Sequence, residues 1–223
     1  MKEIKGLIFD LDGVIVDTAK YHFLAWKKLA QNLRIPFTES DNERLKGVSR
    51  LRSFEIILEI GGLTMSEEEK EKCCTEKNNL YLEYIYQLKS DEILPGVRKF
   101  LSDAREKGYK IALGSGSRNA KLILEKLEIT DLFDVIADGT IISQAKPDPE
   151  IFIKGAKLLE LPAESCIVFE DAAAGIEGAH AAGMYAVGIG TAENLPKAEI
   201  ILPGLKGITI KDIINKLQIH IKE

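Results

Sequence analysis

The chain has 223 residues, 45% of them hydrophobic, with a mean hydropathy of −0.04 and a net charge of −5. That is enough chain for one substantial core plus a smaller second domain. The acidic balance gives no electrostatic reason to expect nucleic acid or an anionic membrane as partner, so an anionic substrate would need a local basic site. Cys73, Cys74 and Cys166 form neither a disulfide framework nor a zinc pattern. The apolar run that ends at Asp10 is too short for a signal peptide or a membrane span. The expectation is a cytoplasmic protein, monomeric by default.

Gly6–Phe9 is wholly apolar and bounded by polar residues, which predicts a strand buried on both faces, as in a parallel sheet. Similar runs follow at Ile111–Leu113, Val135–Ala137, Ile167–Phe169, Ala186–Ile189 and Ile200–Leu202. Helical patterns separate most of them, at Val97–Lys107, Ala120–Leu127, Pro149–Leu159 and Ala174–Ala182. This alternation predicts an α/β fold with a doubly wound, Rossmann-like parallel sheet, whose ligand site lies beyond the carboxyl ends of the strands.

Between about Thr18 and Leu88 the pattern is helical only. Thr18–Leu33 places His22, Trp26, Leu29, Ala30 and Leu33 on one face. Ser49–Ile60 predicts a second helix, ended by Gly61-Gly62, and Ser66–Leu88 a third with Ser66 as N-cap. The expected organisation is a catalytic core of residues 1–16 and 90–223, with an all-helical cap domain of residues 17–89 inserted after the first strand.

The chemistry gathers at the predicted strand ends. Asp10 and Asp12 lie two apart in an extended segment, so their side chains leave the same side of the chain, and Gly13 permits a sharp turn. A lone pair of this kind is more often a solvated turn. Glu170-Asp171, however, follows Ile167–Phe169 in the same way, so up to four carboxylates converge on one edge. Two carboxylates about 4 Å apart repel by roughly 4 kcal/mol at an effective dielectric near 20. Such a cluster calls for a cation, and all-oxygen ligands favour Mg2+. Ser115 and Ser117 follow another strand in Gly114-Ser115-Gly116-Ser117-Arg118-Asn119, where the glycines let backbone N–H groups approach an oxyanion. Lys146 precedes Pro147 at a further loop. Acids, metal, hydroxyl and lysine form a complete set for phosphoryl transfer.

The ordered motifs Asp10-x-Asp12-Gly13, Ser115, Lys146-Pro147 and Glu170-Asp171 resemble the haloacid dehalogenase superfamily. The resemblance implies that Asp10 is the nucleophile and takes up the phosphoryl group, and that Asp12 is the general acid/base. Ser115 and Lys146 would hold the transferring group. Asp10, the Asp12 backbone carbonyl, Asp171 and Glu170 would arrange one Mg2+. The segments Asp17-Thr18-x-x-x-His22-x-x-x-Trp26, Lys46-Gly47-Val48-Ser49-Arg50, Lys77-Asn78 and Leu94-Pro95-Gly96 are further similar to the β-phosphoglucomutase family. That similarity implies interconversion of β-D-glucose 1-phosphate and β-D-glucose 6-phosphate through β-glucose 1,6-bisphosphate. It makes Arg50 the clamp for the distal phosphate, helped by Ser117 and Asn119. Thr18 and His22 would orient Asp12, and Lys46, beside Gly47, would contact sugar oxygens.

Trp26 reads as structural. Departures from the pattern are Gly114 and Gly116 flanking Ser115, Arg118 where a lysine is common, and Ala172 where many relatives carry a serine. The alternative is a Mg2+-dependent phosphatase of the same fold, acting on a sugar phosphate or another small phosphoester. A non-catalytic scaffold would require loss of a catalytic group, and Asp10, Asp12, Lys146 and Asp171 are all present.

Overall fold

The computed structural model describes residues 3–45 and 49–220. Two compact units emerge, one of residues up to Asp17 together with those from Lys89 onward, the other Thr18–Leu88. Among the described residues no helix is long and apolar enough to cross a membrane.

The Thr18–Leu88 unit is helical. Helix α1 (Ala19–Asn32) buries Ala25, Trp26, Leu29 and Ala30. A five-residue helix, α2 (Glu39–Glu43), was not predicted, because it buries nothing and so carries no apolar period. It is held instead by a reciprocal cap between Thr38 and Asp41. Helix α3 (Arg50–Gly61) starts where the Arg52 N–H donates to Ser49 Oγ at 3.2 Å and stops at Gly62, whose φ of 63° suits a left-handed cap. Helix α4 (Glu67–Ile85) opens on a capping box of Ser66 and Glu69. It ends before the expected Leu88, because the Gln87 and Leu88 N–H groups donate to the Tyr84 and Ile85 carbonyls, tightening the last turn. Trp26, Leu29, Phe54, Ile57 and Cys74 form this unit's core, with the Trp26 and Phe54 rings near parallel at 6.2 Å.

The other unit is built on six strands: β1 (Gly6–Phe9), β2 (Lys110–Gly114), β3 (Val135–Ala137), β4 (Cys166–Glu170), β5 (Tyr185–Ile189) and β6 (Ile200–Leu202). They form one sheet in the order β3-β2-β1-β4-β5-β6, and every neighbouring pair is parallel. This is the doubly wound, Rossmann-like arrangement expected from the alternation. Helices α5 (Val97–Glu106), α6 (Ala120–Lys126), α7 (Glu150–Leu158), α8 (Ala173–Ala181) and α9 (Ile210–His220) connect and flank the strands. Ile8, Ala112, Val168 and Ala186 pack on α7 and α8 through Ile151, Phe152, Ile176 and Ala179. Leu7 and Phe9 point to the opposite face, where Phe100 of α5 lies. Two-sided cover explains why β1 and β4 read as unbroken apolar runs.

Phe9 and Phe169, paired across β1 and β4, stack at 4.3 Å, and Phe100 meets both rings edge-on at 6.1 and 5.5 Å. The cluster fixes the two strands one residue before Asp10 and Glu170. Phe100→Ala should therefore cost about 3–5 kcal/mol of stability, measured by urea unfolding; a loss below ~1 kcal/mol would show that the cluster contributes little.

Candidate active site

The strand register brings the candidate residues level. Phe9 pairs with Leu113 and with Phe169, and Leu113 with Ile136, so Asp10, Ser115 and Glu170 emerge at one carboxyl edge. Asp10 extends the β1–β4 ladder, its N–H donating to the Phe169 carbonyl at 2.9 Å. The chain then turns tightly: Gly13 donates to the Val16 carbonyl, and Ile15 and Val16 donate to the Leu11 carbonyl, at 2.8–3.1 Å. Leu11, Val14, Ile15 and Val16 are buried, so the turn is anchored from below while Asp10 and Asp12 are presented above.

Glycine decides the shape here in a way the turn alone does not require. Gly13 has φ of 75°, and a Cβ on it would fall 2.0 Å from Asp171 Oδ2. A Cβ on Gly175, in the first turn of α8, would fall 2.0 Å from Glu170 Oε1. Both metal-side carboxylates thus occupy space that a side chain would fill. Gly116, expected to open the phosphate loop, has no such constraint: its φ is ordinary and nothing lies within 4 Å of its Cβ position. Gly114 instead makes room for Ile8, and Gly139 for the Gly116 carbonyl.

Carboxylate oxygens of Asp10, Glu170 and Asp171 all lie within 4.8 Å of one another. Three of the up to four carboxylates expected at this edge meet in one group, and the charge of Asp12 acts on Asp10 and Asp171. Lys146 Nζ donates to both Asp10 Oδ1 and Glu170 Oε1. Glu170 is 1% exposed, and its Oε2 accepts from the Ala172 N–H at 3.0 Å.

Charge is out of balance in this group. Burial pushes the Asp10 carboxyl well above the usual range; Lys146 pulls it down, and Glu170 and Asp12 push it further up. Burial and the charges of Glu170 and Asp12 push Asp171 up to about 7, against the pull of Lys146. Burial alone would lower Lys146, but Asp10 and Glu170 outweigh it and hold the ammonium above its ordinary value. One ammonium is set against Asp10, Glu170 and Asp171. The remaining negative charge, on hard oxygens, fits a divalent cation.

Ser115 is 3% exposed and is held by its N–H donating to the Ala137 carbonyl at 3.0 Å. Its Oγ accepts from the Ser117 N–H, and Ser117 Oγ from the Asn119 N–H, both at 3.2 Å, which leaves the Ser115 hydroxyl hydrogen for an anion. Arg118 is exposed on the same loop.

The remaining sequence candidates belong to the helical unit, except that Lys46 and Gly47 lie outside the described residues. Thr18 makes no side-chain cap; its Oγ1 accepts from Tyr81 Oη at 3.1 Å. His22 stacks on Tyr81 at 4.1 Å and accepts at Nδ1 from Lys77 Nζ at 2.6 Å. Burial, then Lys77 and Arg50, hold the imidazole well below its ordinary range, so it is neutral at pH 7. Lys77 is 2% exposed and lies over the Trp26 and Tyr81 rings. Arg50 Nη2 donates to Asn78 Oδ1 at 2.8 Å. Lys77 enters the sequence reading only within the Lys77-Asn78 segment, with no role assigned; the further signal is a lysine sharing one helical face with Cys74, Tyr81 and Ile85. For the carboxylate group the sharpest test is steric: Gly13→Ala should weaken divalent-cation affinity at least tenfold by calorimetry, and unchanged affinity would remove Asp171 from the ligand set.

Comparison with known proteins agrees with this geometry. The family model for haloacid dehalogenase-like hydrolases matches residues 4–183. The β-phosphoglucomutase of Bacillus subtilis is 42% identical over 210 residues, 93% of each chain. The crystal structure of a β-phosphoglucomutase from Clostridium difficile superposes with a TM-score of 0.91 at 43% identity, covering 99% of this chain and 100% of that one. A phosphorylated carbohydrates phosphatase of Thermotoga maritima is 31% identical over 219 residues, 96% of this chain and 99% of its own. With the carboxylates, the lysine and the serine at the strand ends where the family's motifs require them, the chain belongs to the haloacid dehalogenase-like hydrolases.

Proposed function

We propose that the protein is a β-phosphoglucomutase, interconverting β-D-glucose 1-phosphate and β-D-glucose 6-phosphate through β-glucose 1,6-bisphosphate. The observation that carries this reading is likeness at 42–43% identity to two β-phosphoglucomutases over nearly the whole chain, helical unit included. An Asp10 carboxylate oxygen attacks phosphorus, forming the aspartyl-phosphate as the bond from phosphorus to the sugar oxygen breaks. Asp12 gives its proton to the departing oxygen and later takes one from the sugar hydroxyl that attacks the aspartyl-phosphate. Lys146 and the Ser115 hydroxyl hold the transferring oxygens, with the backbone N–H of Gly116 beside them. Asp10, Glu170, Asp171 and the Asp12 carbonyl would hold Mg2+, which supplies neutralising charge to the phosphoryl group.

The helical unit, residues 17–89 in the sequence reading, would carry substrate specificity. Arg50 is assigned the non-reacting phosphate with Ser117, Arg118 and Asn119, Lys46 and Gly47 the sugar, and Thr18 and His22 the orientation of Asp12. A neutral His22 suits the last role, since it adds no second positive charge. The thiols Cys73, Cys74 and Cys166 are unpaired, in keeping with work in the cytoplasm.

The second reading, a phosphatase, is favoured by the Thermotoga maritima relative. It differs only in the acceptor, water in place of a sugar hydroxyl. With β-glucose 1-phosphate, Mg2+ and a trace of the bisphosphate, the expected product is glucose 6-phosphate. Stoichiometric inorganic phosphate without glucose 6-phosphate would replace the mutase by the phosphatase. Asp10→Asn should lower turnover at least about a thousandfold with the fold retained by circular dichroism, and wild-type turnover would sink the nucleophile assignment. Protonation of Asp171, with its pKa raised to about 7, competes with the cation. Mg2+ affinity should therefore fall as pH drops below about 7, by up to about tenfold per unit, with protons released on binding in calorimetry. A flat profile from pH 5.5 to 8 would contradict this.

A further inference from the structure

Lys146 is a flexible side chain whose ammonium must sit within hydrogen-bond reach of two carboxylates. Neither carboxylate constrains the backbone that carries it. That backbone is a loop between β3 and α7, and one side chain outside the reacting group ties its far side to the helix that follows. Glu150, in the first turn of α7, reaches back past Lys146. Its Oε2 accepts from the Ser143 N–H at 2.7 Å, the Gln144 N–H at 2.8 Å and the Ser143 hydroxyl at 3.0 Å. Its Oε1 pairs with Lys154 Nζ at 2.7 Å, and Lys154 also donates to the Ile141 carbonyl. On the nearer side of Lys146, the Asp148 N–H donates to the Ala145 carbonyl at 3.0 Å and the Glu150 N–H to Asp148 Oδ1 at 2.9 Å.

An acidic residue in a first helical turn is ordinarily explained by the helix dipole and the free N–H groups of its own helix. Here all three donors to Oε2 belong to the loop before the helix. The carboxylate gathers chain from the far side of Lys146 and ties it to the helix that follows.

We propose that Glu150 is a positioning residue for Lys146: it closes the loop from residues 141–144 to α7 and so fixes the root of the side chain that bridges Asp10 and Glu170. The assignment rests on Lys146 holding the phosphoryl group. Lys154, Ser143 and the Gln144 N–H keep the Glu150 carboxyl at about 2, so the tie is ionised throughout the working pH range. Displacement of a reacting group by about 1 Å costs up to a hundredfold in rate.

The test is a double-mutant cycle of Glu150→Ala and Lys146→Ala, read as kcat/KM for para-nitrophenyl phosphate and as affinity for inorganic phosphate in Mg2+, with melting temperatures alongside. Glu150→Ala should lower kcat/KM about tenfold or more and weaken phosphate binding when Lys146 is present. In the Lys146→Ala background the same change should alter both by less than twofold, because nothing remains to be positioned. Glu150→Gln, which keeps an acceptor oxygen, should recover part of the loss, and it takes Glu150→Ala's place in the cycle if that variant does not fold. Equal losses in the two backgrounds, or no loss with Lys146 present, would overturn the proposal. Cleavage of para-nitrophenyl phosphate without isomerisation of β-glucose 1-phosphate would remove the mutase reading and leave the cycle intact. A wild-type enzyme that turned over neither substrate nor bound phosphate would remove both.

Discussion

The ammonium of Lys146, shared between Asp10 and Glu170, is the interaction on which the site depends. Removing the lysine would leave two buried carboxylates without their shared counter-charge in a place with little water, at a cost of several kcal/mol. The shared ammonium also sets the site's unfinished business. It neutralises part of the carboxylate charge and leaves Asp10 and Asp171 reluctant to ionise without a cation. A resting state balanced in this way becomes reactive when cation and phosphate arrive together, because each supplies charge the other lacks.

The rest of the core unit can be understood as a support for that arrangement. Parallel strands place successive carboxyl ends at one edge, so residues far apart in the chain meet without long loops. Buried rings before Asp10 and Glu170 give the two acids a common, stiff base. The helical unit shows a related economy. Its buried Lys77 is placed over aromatic faces and against a neutral imidazole, contacts that suit an ammonium.

Much of this was legible in the chain. Gly6–Phe9 and Ile167–Phe169 announce strands covered on both faces, and the first acids after them are the residues that meet. Ser66 with Glu69 announces a helix start through chemistry local to four residues. What was not legible depended on approach in three dimensions. Helix α2 has no apolar face to betray it. The surroundings of Lys77 are set by His22 and Trp26, distant in sequence. Gly139 and Gly175 carry no signal in the sequence, although each is demanded by an atom from another element.

The glycines at 13 and 175 give the site an unusual kind of vulnerability. Its acids are positioned as much by absent atoms as by bonds, so scans that shorten side chains pass over these positions. A single added methyl group there acts as a wedge against the carboxylate, and at Gly13 it also strains a left-handed backbone. The same positions show that cation affinity can be lost at Gly13 or Gly175 without changing one ligand or one charge.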